Sequence, residues 1–386
     1  MGRSLLNHFL AAHFRACTLA FLAAMLAPAL TWANDVPAIA AKAYFLLDVQ
    51  SNQILAGQRA DERMEPASLT KLMTAYVVFG ALKQKLVTAQ QQVTPSVKAW
   101  KTQGSRMFIE PDRPVSIDEL LRGMIVQSGN DASIALAEAV AGDESAFANM
   151  MNREAKRLGL KGSNFVNATG LPDEKHYSTA QDLVRLAAAL IRDFPEHYPL
   201  YSLREYTYNK ITQPNRNLLL SKDPYVDGVK TGFTDSAGYC LIASARRETR
   251  RLVAVVLGTA SETARAIEAQ KLLNYGFQFF EGVRLYEKGA PVAKLQVWKG
   301  SEREVPVGFQ DDYFVTVPRG QKDQLQARLE SVQPLLAPIS SNQAVGIMRV
   351  TLSGKPFGER GVVSLANVGI ANIFVRAWDS LRLRFK

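Results

Sequence analysis

The sequence predicts a mixed α+β domain, an antiparallel sheet flanked by helices, followed by a small all-β domain and a terminal amphipathic helix. Three observations predict this. Strand-like runs stand at both ends of residues 34–282, with helical periodicity between them. After Gly282 the chain turns to short β runs between Gly, Pro and Asp turns. The last segment, GIANIFVRAWDSLRLRFK, is amphipathic when written as a helix.

The chain begins with Arg3, His8, His13 and Arg15, then the apolar run CTLAFLAAMLAPAL and the small residues of TWAN. The run is short for a membrane span and Pro28 interrupts it, so residues 1–33 read as a secretory signal cut after Ala33. A mature chain of about 350 residues exceeds the usual size of a single core, which predicts two folded domains. Cys17 leaves with the signal, so Cys240 is alone and no intramolecular disulfide is expected. Cys240 sits in an apolar strand-like run and reads as a core residue, not a nucleophile. The net charge of +10 fits an anionic lipid surface or acidic polymer. Export and the lack of an RNA-reading motif exclude nucleic acid. His176 and His197 lie in no metal-ligand pattern, which argues against a zinc peptidase.

AYFLLDVQSNQILAG reads as two strands joined by a polar turn at Gln50–Gln53. From Ala67 to Lys83, Leu69, Leu72, Met73, Val77 and Leu82 recur at helical spacing. SIDELLRGMIVQ opens with Ser116 and Glu119, a capping box. Helices are expected over Asp143–Leu158 and in STAQDLVRLAAALIRD, the latter capped by Ser178 or Thr179. GYCLIASARRETRRLVAVVLGTA is a hairpin turning near Glu248, and ETARAIEAQKLLNYGFQFF is the helix that closes the domain. Residues 283–366 read as a small β-sandwich or barrel. In residues 367–386, Ile370, Ile373, Phe374, Ala377, Trp378, Leu381 and Phe385 share one face of a helical wheel. Arg376, Asp379, Arg382 and Lys386 lie opposite, and Arg384 breaks the apolar side. Such a helix lies in a membrane interface or docks on its own protein; it is too short and charged to span a bilayer.

Ser68 and Lys71 stand three residues apart at a helix start, so both side chains share a face and the amine can reach the hydroxyl. Alone this is a weak signal, since a capping serine and a solvated lysine share the pattern. Two further motifs change the odds: Ser128-Gly129-Asn130 after one helix, and Lys230-Thr231-Gly232 before the hairpin. In order and approximate spacing these match the S-x-x-K, S-x-N and K-T-G set of the penicillin-recognising serine enzymes, whose domain is β-lactamase-like. PASLTKLMTAY, MIVQSGNDASIALAE, FVNATGLPDEKHYSTAQDL, QPNRNLLL and DGVKTGFTDSAGYCLIASA carry the likeness over nearly the whole chain. The sequence resembles the low-molecular-mass D-alanyl-D-alanine carboxypeptidases of Gram-negative bacteria, the class called penicillin-binding proteins 5 and 6.

The resemblance implies that Ser68 is the nucleophile and Lys71 its base. Lys71 can be a base only if buried, with Lys230 expected as the second cation that holds it neutral. It further implies that Ser128 relays a proton to the leaving nitrogen, with Lys230 as its partner. Asn130 holds Lys71 and binds substrate amide. Thr231 contacts the substrate carboxylate, Arg216 adds charge there, and Gly232 lets substrate approach the strand. The backbone amides of Ser68 and Phe233 would meet the oxyanion; Phe233 is bulkier than the small or polar residue expected there. DEKHYSTAQD, with Asp173, Glu174 and His176, either influences acyl-enzyme hydrolysis or is a solvated loop before a helix cap.

The implied function is removal of the terminal D-alanine from peptidoglycan stem peptides. Covalent capture of β-lactams, no cofactor, and a periplasmic location on the inner-membrane surface are also implied. A D,D-endopeptidase, a weak β-lactamase and a non-catalytic cell-wall morphogenesis protein are the alternatives. Oligomeric state and stem-peptide preference are not legible.

Overall fold

A computed structural model describes residues 36–385; the expected signal lies outside them. The first lobe is built on a five-stranded antiparallel sheet. Its strands follow the order Gln53–Gln58, Ala43–Asp48, Arg250–Thr259, Gly238–Arg247 and Val226–Thr234. The terminal strands of the lobe therefore share one sheet, as the pattern at both ends of residues 34–282 predicts. Alternation then sorts the side chains. Leu241, Ala243, Leu252, Ala254 and Val256 pack on the closing helix Glu262–Phe279. Cys240, Ile242, Val253 and Val255 face the helical layer. Cys240 is fully buried, and burial pushes its thiol up to about 11, which suits the core role.

The helix Lys71–Lys83 differs from the amphipathic helix that its spacing suggests. Ten of its thirteen residues are buried, including Lys71 and Thr74, so it runs through the centre of the helical layer. A 3₁₀ turn, Ala67–Thr70, precedes it and carries Ser68. The capping box forms as expected, with Ser116 and Glu119 each receiving the other's backbone N–H. Asp143 caps Glu144–Arg157, Thr179 caps Ala180–Asp193, and Ser261 caps the closing helix.

The second lobe starts at once after the closing helix, with strand Phe280–Tyr286 paired to Tyr313–Pro318. A six-stranded sheet completes it, in the order Leu325–Ser331, Ala344–Leu352, Lys355–Ser364, Glu304–Gly308, Ala293–Trp298 and Leu335–Leu336. The junction between lobes is polar. Arg250 Nε donates to Asp48 Oδ2 at 2.7 Å, Thr316 Oγ1 donates to the same oxygen at 2.9 Å, and Arg250 Nη1 donates to Phe280 O at 2.7 Å.

The final helix is Ile373–Arg382, capped by Asn372. Ile370, assigned by the wheel to its apolar face, lies before it in a β-bridge with Gly300. The polar side of the helix is held to the β lobe: Asp379 Oδ2 accepts Lys299 N at 2.6 Å, and Arg382 lies over the Trp298 ring. Ile373, Phe374, Trp378, Leu381 and Phe385 stay exposed. Among the described residues no helix is long and apolar enough to cross a membrane.

Asp48 is buried against Arg250, so Asp48→Ala leaves a cation without its partner at the junction. Denaturant unfolding is expected to show a loss of about 3 to 5 kcal/mol.

Candidate active site

Three segments that are remote in sequence meet at Lys71. Its Nζ lies 3.0 Å from Ser68 Oγ, 2.7 Å from Asn130 Oδ1 and 2.6 Å from the Thr169 carbonyl oxygen. The two carbonyl-type oxygens can only accept. A neutral amine that donates to both therefore turns its lone pair toward the Ser68 hydroxyl. Lys71 is 1% exposed, and this burial lowers its pKa from 10.5 to about 7. The charge of Asp131 opposes the shift, and that of Arg216 adds to it. Arg216 thus fills the part expected of Lys230. Lys230 is pushed well below its ordinary value by burial first, then by the charges of Lys71, Arg216 and Arg265.

Gly170 explains how Thr169 comes so close. Its φ is +83°, and a Cβ there would stand 1.8 Å from the Ala67 carbonyl oxygen, so only glycine fits against the turn that bears Ser68.

The Ser128–Asn130 motif links helix Ile117–Val126 to helix Asn130–Ala141. Ser128 has φ +66°, an uncommon conformation for a residue with a side chain. Its Oγ is buried and has no hydrogen-bond partner. The expected Ser128–Lys230 bond is absent, because Lys230 Nζ donates instead to the Thr231 carbonyl at 3.0 Å. Asn130 Nδ2 donates to Gln103 O at 2.6 Å, which fixes the amide so that its oxygen faces Lys71. Asp131, fully buried, accepts the backbone N–H groups of Met107, Phe108, Ile109 and Ala132 and pins the neighbouring loop.

The K-T-G strand Val226–Thr234 is the sheet edge that faces this centre. Gly232 lies against the serine turn. A Cβ there would meet Pro66 O at 3.2 Å and Ala67 Cβ at 3.3 Å, so its smallness lets the strand pack on the serine turn. Ser68, Ser128, Asn130, Thr231, Phe233 and Arg216 line one cleft of about 270 Å³. Phe233 is 45% exposed there, its ring 4.3 Å from that of Tyr239. A larger depression, about 480 Å³, surrounds Lys83, Arg157 and Asp193 at the far end of the same helix and holds none of these residues.

Arg265 is a cleft residue that the sequence reading missed. It is 2% exposed and reaches Gly232 O at 3.3 Å, Arg216 O at 3.4 Å and Glu262 Oε1 at 3.3 Å. The signal was present: Arg265 shares helical spacing with Ala269, Leu272 and Leu273 on the buried face.

Asp173 and Glu174 are exposed, and the cleft is edged instead by Thr169–Leu171. His176 turns inward. Its Nδ1 accepts Val166 N at 3.1 Å, so Nε2 carries the proton and donates to Thr70 Oγ1 at 2.7 Å. Among the described residues, no group of three His, Cys, Asp or Glu side chains could hold a metal ion.

A family model described as D-alanyl-D-alanine carboxypeptidase matches residues 31–261. One described as the penicillin-binding protein 5 C-terminal domain matches residues 280–369. The chain is 43% identical over 359 residues to the D-alanyl-D-alanine carboxypeptidase DacC of Escherichia coli K12, covering 91% of this chain and 90% of that one. Its backbone is similar to that of penicillin binding protein 5 from Haemophilus influenzae, with a TM-score of 0.84 and 40% identity, over 87% of this chain and 99% of that chain. Penicillin binding protein 6B from Escherichia coli gives a TM-score of 0.72 at 35% identity, over 86% and 97% of the two chains.

Burial lowers His176 from 6.5 to about 4, so the folded chain keeps it neutral while the unfolded chain takes up a proton below 6.5. Stability from this group is lost as pH falls from 6.5 toward 4. Between pH 7 and pH 5 the loss is about 2 kcal/mol, and thermal unfolding of His176→Gln is expected to lack that component.

Proposed function

The chain belongs to the D-alanyl-D-alanine carboxypeptidase family, and from that premise we propose that Ser68, Lys71 and Ser128 carry its reaction. It is a serine-type D-Ala-D-Ala carboxypeptidase, and its substrates are peptides that end in two D-alanines. The observation that carries the assignment is Lys71 itself: buried, near neutrality, bonded to two carbonyl oxygens and 3.0 Å from Ser68 Oγ.

In this mechanism Lys71 takes the Ser68 proton as Oγ attacks the carbonyl of the penultimate D-alanine. The negative oxygen of the tetrahedral adduct accepts from the Ser68 and Phe233 backbone amides. Such donors are worth about 3 to 4 kcal/mol each. The C–N bond then breaks. The proton held by Lys71 passes through the Ser128 hydroxyl to the nitrogen, and D-alanine leaves as a free amine. The free Oγ of Ser128 suits a relay, having no protein partner to hold it. Water then hydrolyses the ester by the reverse proton path and restores Ser68. Thr231 binds the terminal carboxylate, in the positive field of Arg216 and Lys230. Asn130 positions Lys71 and the substrate amide, and Gly232 keeps the strand against the serine turn. A penicillin would enter by the same route and remain as an ester on Ser68.

Glu262 is a carboxylate at the cleft, and it is paired with Arg265. No second reading is favoured by a comparable observation.

The organisation we propose is a signal at 1–33, the peptidase domain at 34–282, the β-rich domain at 283–366 and an anchoring segment at 367–386 that carries the helix Ile373–Arg382. The exposed apolar side of the last helix, with Phe374 and Trp378, supports attachment to the outer face of the inner membrane. The mature protein would then work in the periplasm.

D-alanine release from diacetyl-Lys-D-Ala-D-Ala is expected to fall by about a thousandfold or more in Ser68→Ala. Because only neutral Lys71 can accept the proton, kcat/KM should drop tenfold per pH unit below about 7. Equal release by the variant would contradict the assignment. Sedimentation with phosphatidylglycerol vesicles should be lost in a Phe374→Asp, Trp378→Asp double variant. Retention there would contradict the anchor.

A further inference from the structure

The oxyanion site proposed for Ser68 and Phe233 draws its amides from two separate segments, and the inference rests on that assignment. Ser68 belongs to the 3₁₀ turn Ala67–Thr70, whereas Phe233 belongs to an edge strand whose ladder runs to Gly238–Arg247. Nothing in the sheet fixes the distance between them. Glu65, three residues before Ser68, does reach across. Its Oε2 accepts Ser236 Oγ at 2.6 Å and Thr234 Oγ1 at 3.0 Å, and Thr234 directly follows Phe233. Thr234 Oγ1 also accepts Ala237 N at 3.0 Å, so the turn that ends the strand is closed on the same hydroxyl. Next to this pair, Gly232 is in packing contact with Pro66 and Ala67.

We propose that Glu65 is a positioning residue that sets the spacing of the Ser68 and Phe233 amides by clamping Thr234 and Ser236 to the serine turn. The Ser236 bond to the carboxylate is short and charge-assisted, and the longer Thr234 bond ties a second residue of the turn to the same oxygen. The hydrogen bonds of the carboxylate go to Thr234 and Ser236, not to the Ser68 hydroxyl, and Glu65 does not line the cleft. Its loss should therefore act on the transition state, in which the two amides are used, and leave ground-state binding nearly unchanged.

The test is steady-state D-alanine release, with the acylation rate by a fluorescent penicillin, for the full-length protein carrying Glu65→Ala, Glu65→Gln, Ser236→Ala and Glu65→Ala with Ser236→Ala. In Glu65→Ala, kcat and acylation should fall about 10- to 100-fold with KM within about twofold, the size of effect a small misplacement produces. Glu65→Gln keeps an acceptor oxygen and should recover most of the rate. Ser236→Ala alone should be slower than wild type and should add little to Glu65→Ala. Ser236 is exposed, so that variant keeps the test open if Glu65→Ala folds poorly. Wild-type kcat in Glu65→Ala, or a loss confined to KM, would overturn the clamp while leaving Ser68 chemistry intact. A wild-type protein that neither releases D-alanine nor takes up penicillin would overturn the serine-enzyme reading and the clamp with it.

Discussion

Everything in the first lobe is arranged around one buried amine. Moving Lys71 from 10.5 to about 7 corresponds to roughly 5 kcal/mol of preference against its charged form. Its hydrogen bonds come from three distant segments, the serine turn, the Asn130 helix end and the Thr169 loop. Opening any of these approaches would admit water, which solvates the ammonium, and the pKa would drift back up. The fold is therefore constrained at those three approaches more than anywhere else. Gly170 marks one of them, where the Thr169 loop touches the serine turn and no side chain fits.

Burial alone would be satisfied by an apolar wall. Instead Arg216 and Arg265 stand at the cleft, with Glu262 as a nearby carboxylate and Lys230 buried close by. The charge of Arg216 disfavours a charge on Lys71, and the two guanidiniums favour an incoming anion. One arrangement thus does two things: it keeps the base neutral and it attracts the terminal carboxylate of a peptide. Arg265 adds order, because its guanidinium holds the carbonyls of both Gly232 and Arg216.

Local features were the legible ones. The Ser116–Glu119 box, the Thr179 cap and the hairpin at Glu248 depend on neighbours in sequence, and each forms as expected. The Ser68–Lys71 spacing and the two companion motifs marked the residues that meet in the cleft. What could not be read depends on long-range packing. Thr169 contributes a backbone carbonyl, which leaves no side-chain signature. His176 looked like a loop residue, and only the fold shows it buried against Thr70. Lys230 and Ser128 were expected to bond, yet the strand geometry gives Lys230 a carbonyl and leaves Ser128 Oγ unpaired. Ile370 kept the helical period of its neighbours although the chain there pairs with Gly300. Arg265 was legible in principle, as a charge on an apolar stripe.

The central claim is that the Lys71 amine loses its proton near neutral pH. The direct measurement is an NMR titration of lysine 13Cε and 15Nζ shifts in labelled protein, with Lys71 assigned by its absence in Lys71→Arg. The account predicts a signal that titrates near pH 7, well separated from the solvent-exposed lysines. A Lys71 signal that titrates with the others, near its ordinary value, would contradict it.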